Sequence, residues 1–410
     1  MTETPATPSS VVIVGGGLAG AKTAEALRAE GFAGPVTLVA GEDELPYERP
    51  PLSKGYLAGE TEFADAVVHP EEWYAEHEVD LRRGVDVVAL HRADHEVELA
   101  DGTRLAYGAL VLATGAEPRP LPIPGADTAL TLRTHADSDR IRATFGEGRR
   151  LVVIGAGWIG LEVAAAARAA GTDVTVLEAA ELPLLGVLGP EMGEVFAGLH
   201  REHGVDLRLG AKIAEITPAG VRLEDGEEIA ADAVVVGVGV RPRTELAEAA
   251  GLDVDNGVLV DRALRTSDAD IYAVGDIAHH DHPVLGRRVR VEHWATALNQ
   301  PAVAAAAILG EDAAYDRLPY FFSDQYDLGM EYVGHATRDD TARVVVRGDL
   351  DKREFVAFWL DDQDRILAAM NVNVWDVPDQ VKPLISARTV VDPDRLADPD
   401  VPLSEVASRD

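Results

Sequence analysis

Residues 11–20 read Val11-Val-Ile-Val14 and then Gly15-Gly-Gly-Leu-Ala-Gly20, and residues 151–160 read Leu151-Val-Val-Ile154 and then Gly155-Ala-Gly-Trp-Ile-Gly160. Each opens on an uninterrupted apolar run, the pattern of a strand buried on both faces of a parallel sheet. Each then enters a G-x-G-x-x-G turn. The first glycine permits the turn, the second admits a pyrophosphate close to the backbone, and the third lets helix and strand pack closely. Ala-rich helical sequence follows, from Ala21 to Glu30 and from Leu161 to Ala170, stopped by Gly31 and Gly171. The strands Val36–Val39 and Val174–Leu177 complete two βαβ units that start 140 residues apart. That spacing is a duplicated nucleotide-binding unit and not a short-period repeat. The free N–H groups at the start of each helix favour an anion such as a pyrophosphate.

The intervening sequence repeats the same grammar. A hairpin is expected over residues 85–106, turning at Asp101-Gly102. Apolar strands are expected at Leu110–Ala113, Ala233–Val236 and Ile271–Val274, followed by Thr114-Gly115, by Gly237-Val-Gly239 and by Gly275-Asp276. The Pro-rich segment Pro118–Pro124 reads as a crossover. Helix is expected from Trp294 to Leu309. Beyond Leu318 the texture changes to short β-like runs, Arg343–Val346 and Glu354–Leu360, and a helical patch near Val377–Ala387. The segmentation predicts an α/β chain of two dinucleotide-binding domains and a smaller α+β domain.

Composition narrows the chemistry. At 410 residues the chain is too long for one core. It has no cysteine, which excludes disulfides, thiolate metal sites and a redox-active dithiol within it. The net charge of −34 argues against nucleic acid and anionic membrane as partners. None of the 12 histidines has a metal-binding spacing, so no metal site is expected. The polar N-terminus reads as a frayed tail and no run approaches the roughly 18 apolar residues of a membrane span, so the expected location is the cytoplasm.

Glu178 stands at the end of the second strand of the second unit. A carboxylate there hydrogen-bonds the adenosine ribose and repels a 2′-phosphate, so this unit reads as an NADH site. Gly155, Gly157, Ile159, Gly160, Glu178, Gly237 and Gly239 are its candidate residues. The first unit has Ala40 at the equivalent place, and its acid, Glu42, comes later.

Further stretches carry a family resemblance: Leu45-Pro-Tyr-Glu-Arg-Pro-Pro-Leu-Ser-Lys54, Ala113-Thr-Gly115, Gly160-Leu-Glu162, Gly275-Asp276, Val291-Glu-His-Trp294 and Ser323-Asp-Gln-Tyr-Asp327. Together they resemble the FAD-dependent ferredoxin reductases of bacterial oxygenase systems, over residues 10–405. The resemblance implies a glutathione-reductase-like pair of Rossmann domains: an FAD domain of residues 10–116 and 241–317, an NAD domain of 117–240 and a C-terminal α+β interface domain of 318–405. It implies that FAD is held by Gly15, Gly17, Leu18, Ala19, Gly20, Glu42, Arg49, Lys54, Val87, Ala113, Thr114, Gly115, Arg133, Gly275, Asp276, Glu292, His293 and Trp294. Lys54 would lie near the flavin, paired with Glu162, and Trp294 beside the isoalloxazine; these three are the candidate catalytic residues. His293 has no partner spacing for a base. Two departures stand out. Gly41 occupies the place of the family's usual strand-end Asp, and Phe322 replaces the usual Trp before Ser-Asp-Gln-Tyr.

The implied chemistry is hydride transfer from NADH to FAD, with cofactors supplying the reactivity and protein the placement. Without cysteines the electrons must leave the flavin directly. The resemblance implies one-electron steps to a small [2Fe–2S] ferredoxin serving a cytochrome P450 or Rieske oxygenase, by a monomer or weak dimer. A rubredoxin reductase and an NADH-sensing flavoprotein of the apoptosis-inducing-factor kind are the alternatives. Arg287, Arg288 and Arg290, with Lys352, Arg353, Lys382 and Arg388, form either a basic docking rim or scattered solvated cations.

Overall fold

A computed structural model describes residues 7–408. The chain gathers into two compact units. Among the described residues, one holds 7–49, 63–117 and 241–319, and the other 50–62, 118–240 and 320–408. The short excursion 50–62 thus groups with the second unit, although its flanks belong to the first.

The first unit is built on five parallel strands in the order Ile271–Ala273, Ala109–Leu112, Val11–Val14, Val36–Val39 and Val79–Arg82. Ile13, Leu38, Leu110 and Ile271 have no exposed surface, which explains the unbroken apolar runs. Helix Leu18–Ala29 packs against helix Trp294–Ile308. Ala24, Ala304 and Ala305, all fully buried, keep side-chain bulk out of the contact. Arg28 braces the far end of the first helix by donating to the carbonyls of Phe32, Gly34, His77 and Glu78.

The second unit repeats the plan. Its parallel strands run Ala233–Val236, Arg150–Ile154, Asp173–Glu178 and Asp206–Leu209. Sheet position by sheet position, this matches Ala109–Leu112, Val11–Val14, Val36–Val39 and Val79–Arg82. In both units an antiparallel meander precedes the strand that pairs beside the first one, Ala109–Leu112 or Ala233–Val236. It comprises Val87–His91, Glu96–Leu99 and Arg104–Ala106 in the first, and Ile213–Thr217, Gly220–Leu223 and Glu228–Ala230 in the second. The single hairpin expected over 85–106 is therefore three strands. A 3₁₀ turn, Arg92–Asp94, ends on His95 in the left-handed region (φ 52°) and reverses the chain once more than expected. The turn at Asp101-Gly102 is present.

The rest of the second unit is an antiparallel sheet in the order Tyr320–Gln325, Leu328–Gly334, Ile366–Val372, Glu354–Leu360 and Arg343–Asp349. Helix Pro378–Ser386 packs on its two strands Leu328–Gly334 and Ile366–Val372. Among the described residues no helix is long and apolar enough to cross a membrane.

Two buried histidines give the fold a pH signature. His280 is 1% exposed in the first unit, and neither ring nitrogen has a hydrogen-bond partner. Burial, assisted by the charges of neighbouring His282, pushes its pKa down to about 3. His200, fully buried in the second unit, is pushed down to about 4 by burial against the opposing effect of Gln325. Both groups are neutral when folded and take up a proton more readily when unfolded, so stability falls as pH drops below the ordinary histidine value near 6.5. Between pH 6.5 and 5, His280 should withdraw roughly 2 kcal/mol from the first unit. Calorimetry of His280→Leu should show a flatter loss of melting temperature over that interval than the parent shows. Equal slopes would mean that the ring is protonated in the folded protein.

Candidate nucleotide and redox site

The three glycines of each turn have different physical duties. A Cβ on Gly15 would lie 2.2 Å from the Ala113 carbonyl oxygen, and its φ is +121°. A Cβ on Gly20 would lie 1.9 Å from the Gly15 oxygen. In the second unit a Cβ on Gly155 would meet the Gly237 oxygen at 2.5 Å, and one on Gly160 the Gly155 oxygen at 2.1 Å. These four glycines are demanded by the protein's own backbone. The middle ones are not. A Cβ on Gly17 meets nothing within 4 Å, and one on Gly157 only reaches the Gly237 oxygen at 4.0 Å.

Gly17 and Gly157 are also the N-caps of helices Leu18–Ala29 and Trp158–Ala169. Neither helix has a side-chain cap or an acidic residue in its first turn. The positive end of each helix dipole thus faces open space with donors uncompensated by the chain. An open cradle, free helical amide donors and no carboxylate in the first helical turn are what a dinucleotide pyrophosphate needs, so the residues fit FAD in the first unit and NADH in the second.

Two further expected segments of the first unit, Ala113-Thr114 and Gly275, lie against its glycine turn, and the others are placed around Glu42, Arg49, Trp294 and Val87. The Gly15 contact places Ala113 beside the turn, and Thr114 Oγ1 donates to the Arg243 oxygen while Arg243 N–H donates to Gly115. Gly275, in the left-handed region, sits where its Cβ would be 3.0 Å from the Ala19 Cβ, which brings Asp276 to the same place. Gly275 N–H donates to Gln300 Oε1 at 2.8 Å. Glu42 is held by Tyr47 Oη at 2.5 Å and by Arg49 at 2.8 Å. Burial opposes the Arg49 charge, but Tyr47, Glu42 and Asp276 outweigh it and raise the guanidinium above its ordinary value. Trp294 opens its helix after His293 and donates from Nε1 to Glu48 at 3.1 Å. Val87, half-buried, begins the meander.

Sequence reasoning missed one residue here and misread another. A Cβ on Gly41 would strike Asp86 Oδ1 at 2.4 Å, so Asp86 fills the ground left by the absent strand-end acid. Arg290, read as either a docking-rim or a solvated cation, has a side chain only 6% exposed: it pairs with Glu292 at 2.8 Å and donates to the Asp276 oxygen and Asn256 Oδ1, each at 3.2 Å. It braces the Asp276 turn and is too buried to meet a partner. Arg288 likewise donates to the Val260 and His279 carbonyls. Lys352, Arg353 and Lys382 are paired with Asp349, Glu202 and Asp379. Local carboxylates therefore neutralise most of the expected rim.

In the second unit Glu178 accepts from Ala156 N–H at 2.6 Å and from Ala180 N–H at 2.8 Å, which fixes its carboxylate beside the glycine turn. Ile159, in the first helical turn, is 42% exposed. Gly239 adopts φ +96° beside Arg119, whose Nε donates to the Val240 oxygen. Arg133 precedes helix His135–Arg142, and its N–H donates to Asp137. Lys54 and Glu162 form an ion pair at 2.7 Å, with side chains 16% and 3% exposed. Glu162 also accepts from Ser53 Oγ at 2.5 Å and Ser323 Oγ at 2.7 Å, two donors that lie 109 and 161 residues away. The Lys54 ammonium lies 5.4 Å from the centre of the Phe322 ring, so an aromatic face is retained where the family's Trp is absent.

The chain belongs to the pyridine nucleotide-disulphide oxidoreductase family, whose profile matches residues 9–301, with a reductase C-terminal domain at 320–407. It is an oxidoreductase of the FAD- and NADH-using, glutathione-reductase-like class. It is 45% identical to the ferredoxin–NAD(+) reductase component of an anthranilate 1,2-dioxygenase system from Burkholderia cepacia, over 96% of this chain and 98% of the relative. It is 41% identical to putidaredoxin reductase from Pseudomonas putida, over 97% of this chain and 96% of the relative. The crystal structure of a covalent putidaredoxin reductase–putidaredoxin complex superposes with a TM-score of 0.92 at 40% identity, covering 97% of this chain and 98% of the other.

Proposed function

We propose that this protein carries electrons from NADH through FAD to a small [2Fe–2S] ferredoxin that serves a cytochrome P450 or Rieske oxygenase in the cytoplasm. One observation carries the reading: a disulphide-oxidoreductase fold in which none of the 410 residues is cysteine. With no dithiol to receive them, electrons must pass from the flavin to an external acceptor. Bound FAD takes two electrons from NADH and can release them singly, which suits a one-electron iron–sulfur partner. The relatives' names supply the acceptor class.

The chain's own residues supply binding and electrostatics. The amides around Gly17 and Gly157 would receive the two pyrophosphates, and Asp276, steadied by Arg290, would add polar contacts on the FAD side. The fixed Glu178 carboxylate selects NADH over a 2′-phosphorylated cofactor. Glu162 holds the Lys54 ammonium in place, and by the family resemblance that fixed positive charge would serve the flavin. Trp294, anchored through its Nε1, would wall the flavin ring. No general acid or nucleophile is required.

Mixing the yellow holoprotein with NADH without oxygen should bleach the flavin rapidly. Adding each member of a panel of [2Fe–2S] ferredoxins should then give ferredoxin-dependent cytochrome c reduction with at least one. Slow bleaching into a stable charge-transfer complex, with no ferredoxin dependence across the panel, would overturn the proposal in favour of an NADH sensor. Activity with rubredoxin alone would reassign the acceptor.

A further inference from the structure

Behind Glu162 lies a run of buried polar groups that the reaction described above does not use. Ser323 Oγ donates to Glu162 Oε1 at 2.7 Å, Gln325 Nε2 donates to Ser323 Oγ at 3.1 Å, and His200 Nε2 lies 2.9 Å from Gln325 Oε1. Tyr326 Oη stands 3.4 Å from His200 Nδ1. Exposure is 3% at Glu162, 1% at Ser323 and nil at Gln325 and His200. The groups sit on three elements of the second unit, helix Trp158–Ala169, strand Tyr320–Gln325 and helix Pro190–Glu202. Ser323 and Gln325 are two apart on the strand, so both face the same way.

The direction of each bond follows from the one before it. A carboxylate only accepts, so Ser323 donates its proton to Glu162. Ser323 Oγ must then accept, which turns the amide nitrogen of Gln325 toward it. The Gln325 oxygen therefore faces His200, which must donate from Nε2. Burial lowers the His200 pKa to about 4, so the ring is neutral at neutral pH and carries that one proton on Nε2. Every dipole in the chain points its positive end at the Glu162 carboxylate. Lys54, in contact, and Asp324, on the same strand as Ser323, are charged groups that act on this carboxylate.

The surroundings make the arrangement expensive as mere packing. Phe196, Leu199, Leu161 and Met330 belong to the same buried cluster. Apolar residues of similar volume generally stabilise such a core as well as a buried polar chain does. A fully satisfied, one-way chain instead fixes the geometry of its end group.

We propose that Ser323, Gln325 and His200 are positioning residues that hold the Glu162 carboxylate, and through it the Lys54 ammonium, in the orientation from which this pair acts on the flavin. This rests on the reading of Lys54 and Glu162 given under the proposed function. Gln is a poor proton conductor, so the chain orients charge and does not relay protons.

The test compares Gln325→Met and His200→Phe, which break the chain while keeping volume, with His200→Gln, which restores a neutral donor near the Nε2 position. Ser323→Ala is a smaller truncation in case the larger changes prevent folding. Stopped-flow reduction of the holoprotein by NADH should be about tenfold slower at saturation in the broken variants, the scale of one lost hydrogen bond to a charged group. The NADH dissociation constant and FAD content should stay at parent values, and the flavin absorption band should shift. His200→Gln should recover to within about twofold of the parent. Folded Gln325→Met and Ser323→Ala proteins with parental band and rate would overturn the proposal. So would His200→Gln behaving like His200→Phe. Lys54→Met separates the two levels: if it too leaves band and rate unchanged, the reading of the ion pair itself fails.

Discussion

Gly20→Ala should yield protein that purifies without its yellow colour, whereas Gly160→Ala should stay yellow but no longer be reduced by NADH. Both substitutions add one methyl group where a Cβ would sit about two ångströms from a backbone oxygen, at 1.9 Å in the first unit and 2.1 Å in the second. The obstacle is the peptide of Gly15 or Gly155, so no flexible side chain can move aside. The helix must retreat from its strand, and overpacking of this kind costs about 1–3 kcal/mol or more. Retreat also carries the helical amide donors away from the pyrophosphate. For Gly160→Ala the half-saturating NADH concentration should rise about a hundredfold, whereas dithionite should bleach the flavin as in the parent. The ratio of flavin to protein absorbance and a comparison of the two reductants check both halves. If the colours are reversed, with Gly160→Ala pale and Gly20→Ala yellow, the cofactor assignment of the two units is wrong.

The second large effect belongs to the ion pair. Lys54→Met leaves the Glu162 carboxylate 3% exposed with two hydroxyl donors and no countercharge. Removing one partner of a buried pair costs about 3–5 kcal/mol, and the partial exposure of Lys54 favours the lower end. The melting temperature of the second unit should fall by roughly 6–12 °C. Glu162→Gln should cost less, because Lys54 can turn its ammonium toward water. The double variant should recover part of the Lys54→Met loss, since no buried charge remains. Calorimetry of the four proteins gives the coupling energy directly. A coupling near zero would show that solvent already screens the pair.

Both dinucleotide units were legible in the sequence because their signals are local. Val11–Val14 and Leu151–Ile154 announce buried strands by lacking any polar residue. The glycine spacing then states where the turn and the helix begin. The place of Glu178 was readable for the same reason, since the strand-end position follows from its distance along the chain, and the fold sets its carboxylate beside the glycine turn. The meander was misjudged because its extra reversal depends on His95 accepting a left-handed conformation, which no local pattern signals. Arg290 was misread because composition shows a charge but not its depth. It took the folded positions of Asp276, Asn256 and Glu292 to reveal a buried brace. Ser53 and Ser323 were invisible as partners of Glu162 for a related reason: contacts across more than a hundred residues leave no periodic trace. Asp86 is a similar case, since only the fold brings it to Gly41.

The first sheet takes its edge strand, Ile271–Ala273, from a point 257 residues after Val14, and its packing helix, Trp294–Ile308, from later still. A ribosome adding about 5–20 residues per second needs tens of seconds to cover that distance. From the synthesis of Leu112 until Ile271 arrives, the nascent chain carries the edge of strand Ala109–Leu112 unpaired, while the parallel sheet of residues 150–236 emerges as one continuous stretch. The unit whose synthesis begins first is therefore completed after the sheet inserted within it. An exposed apolar edge held for so long invites chaperones and aggregation alike, and low yields of destabilised variants should be traced first to this interval in translation.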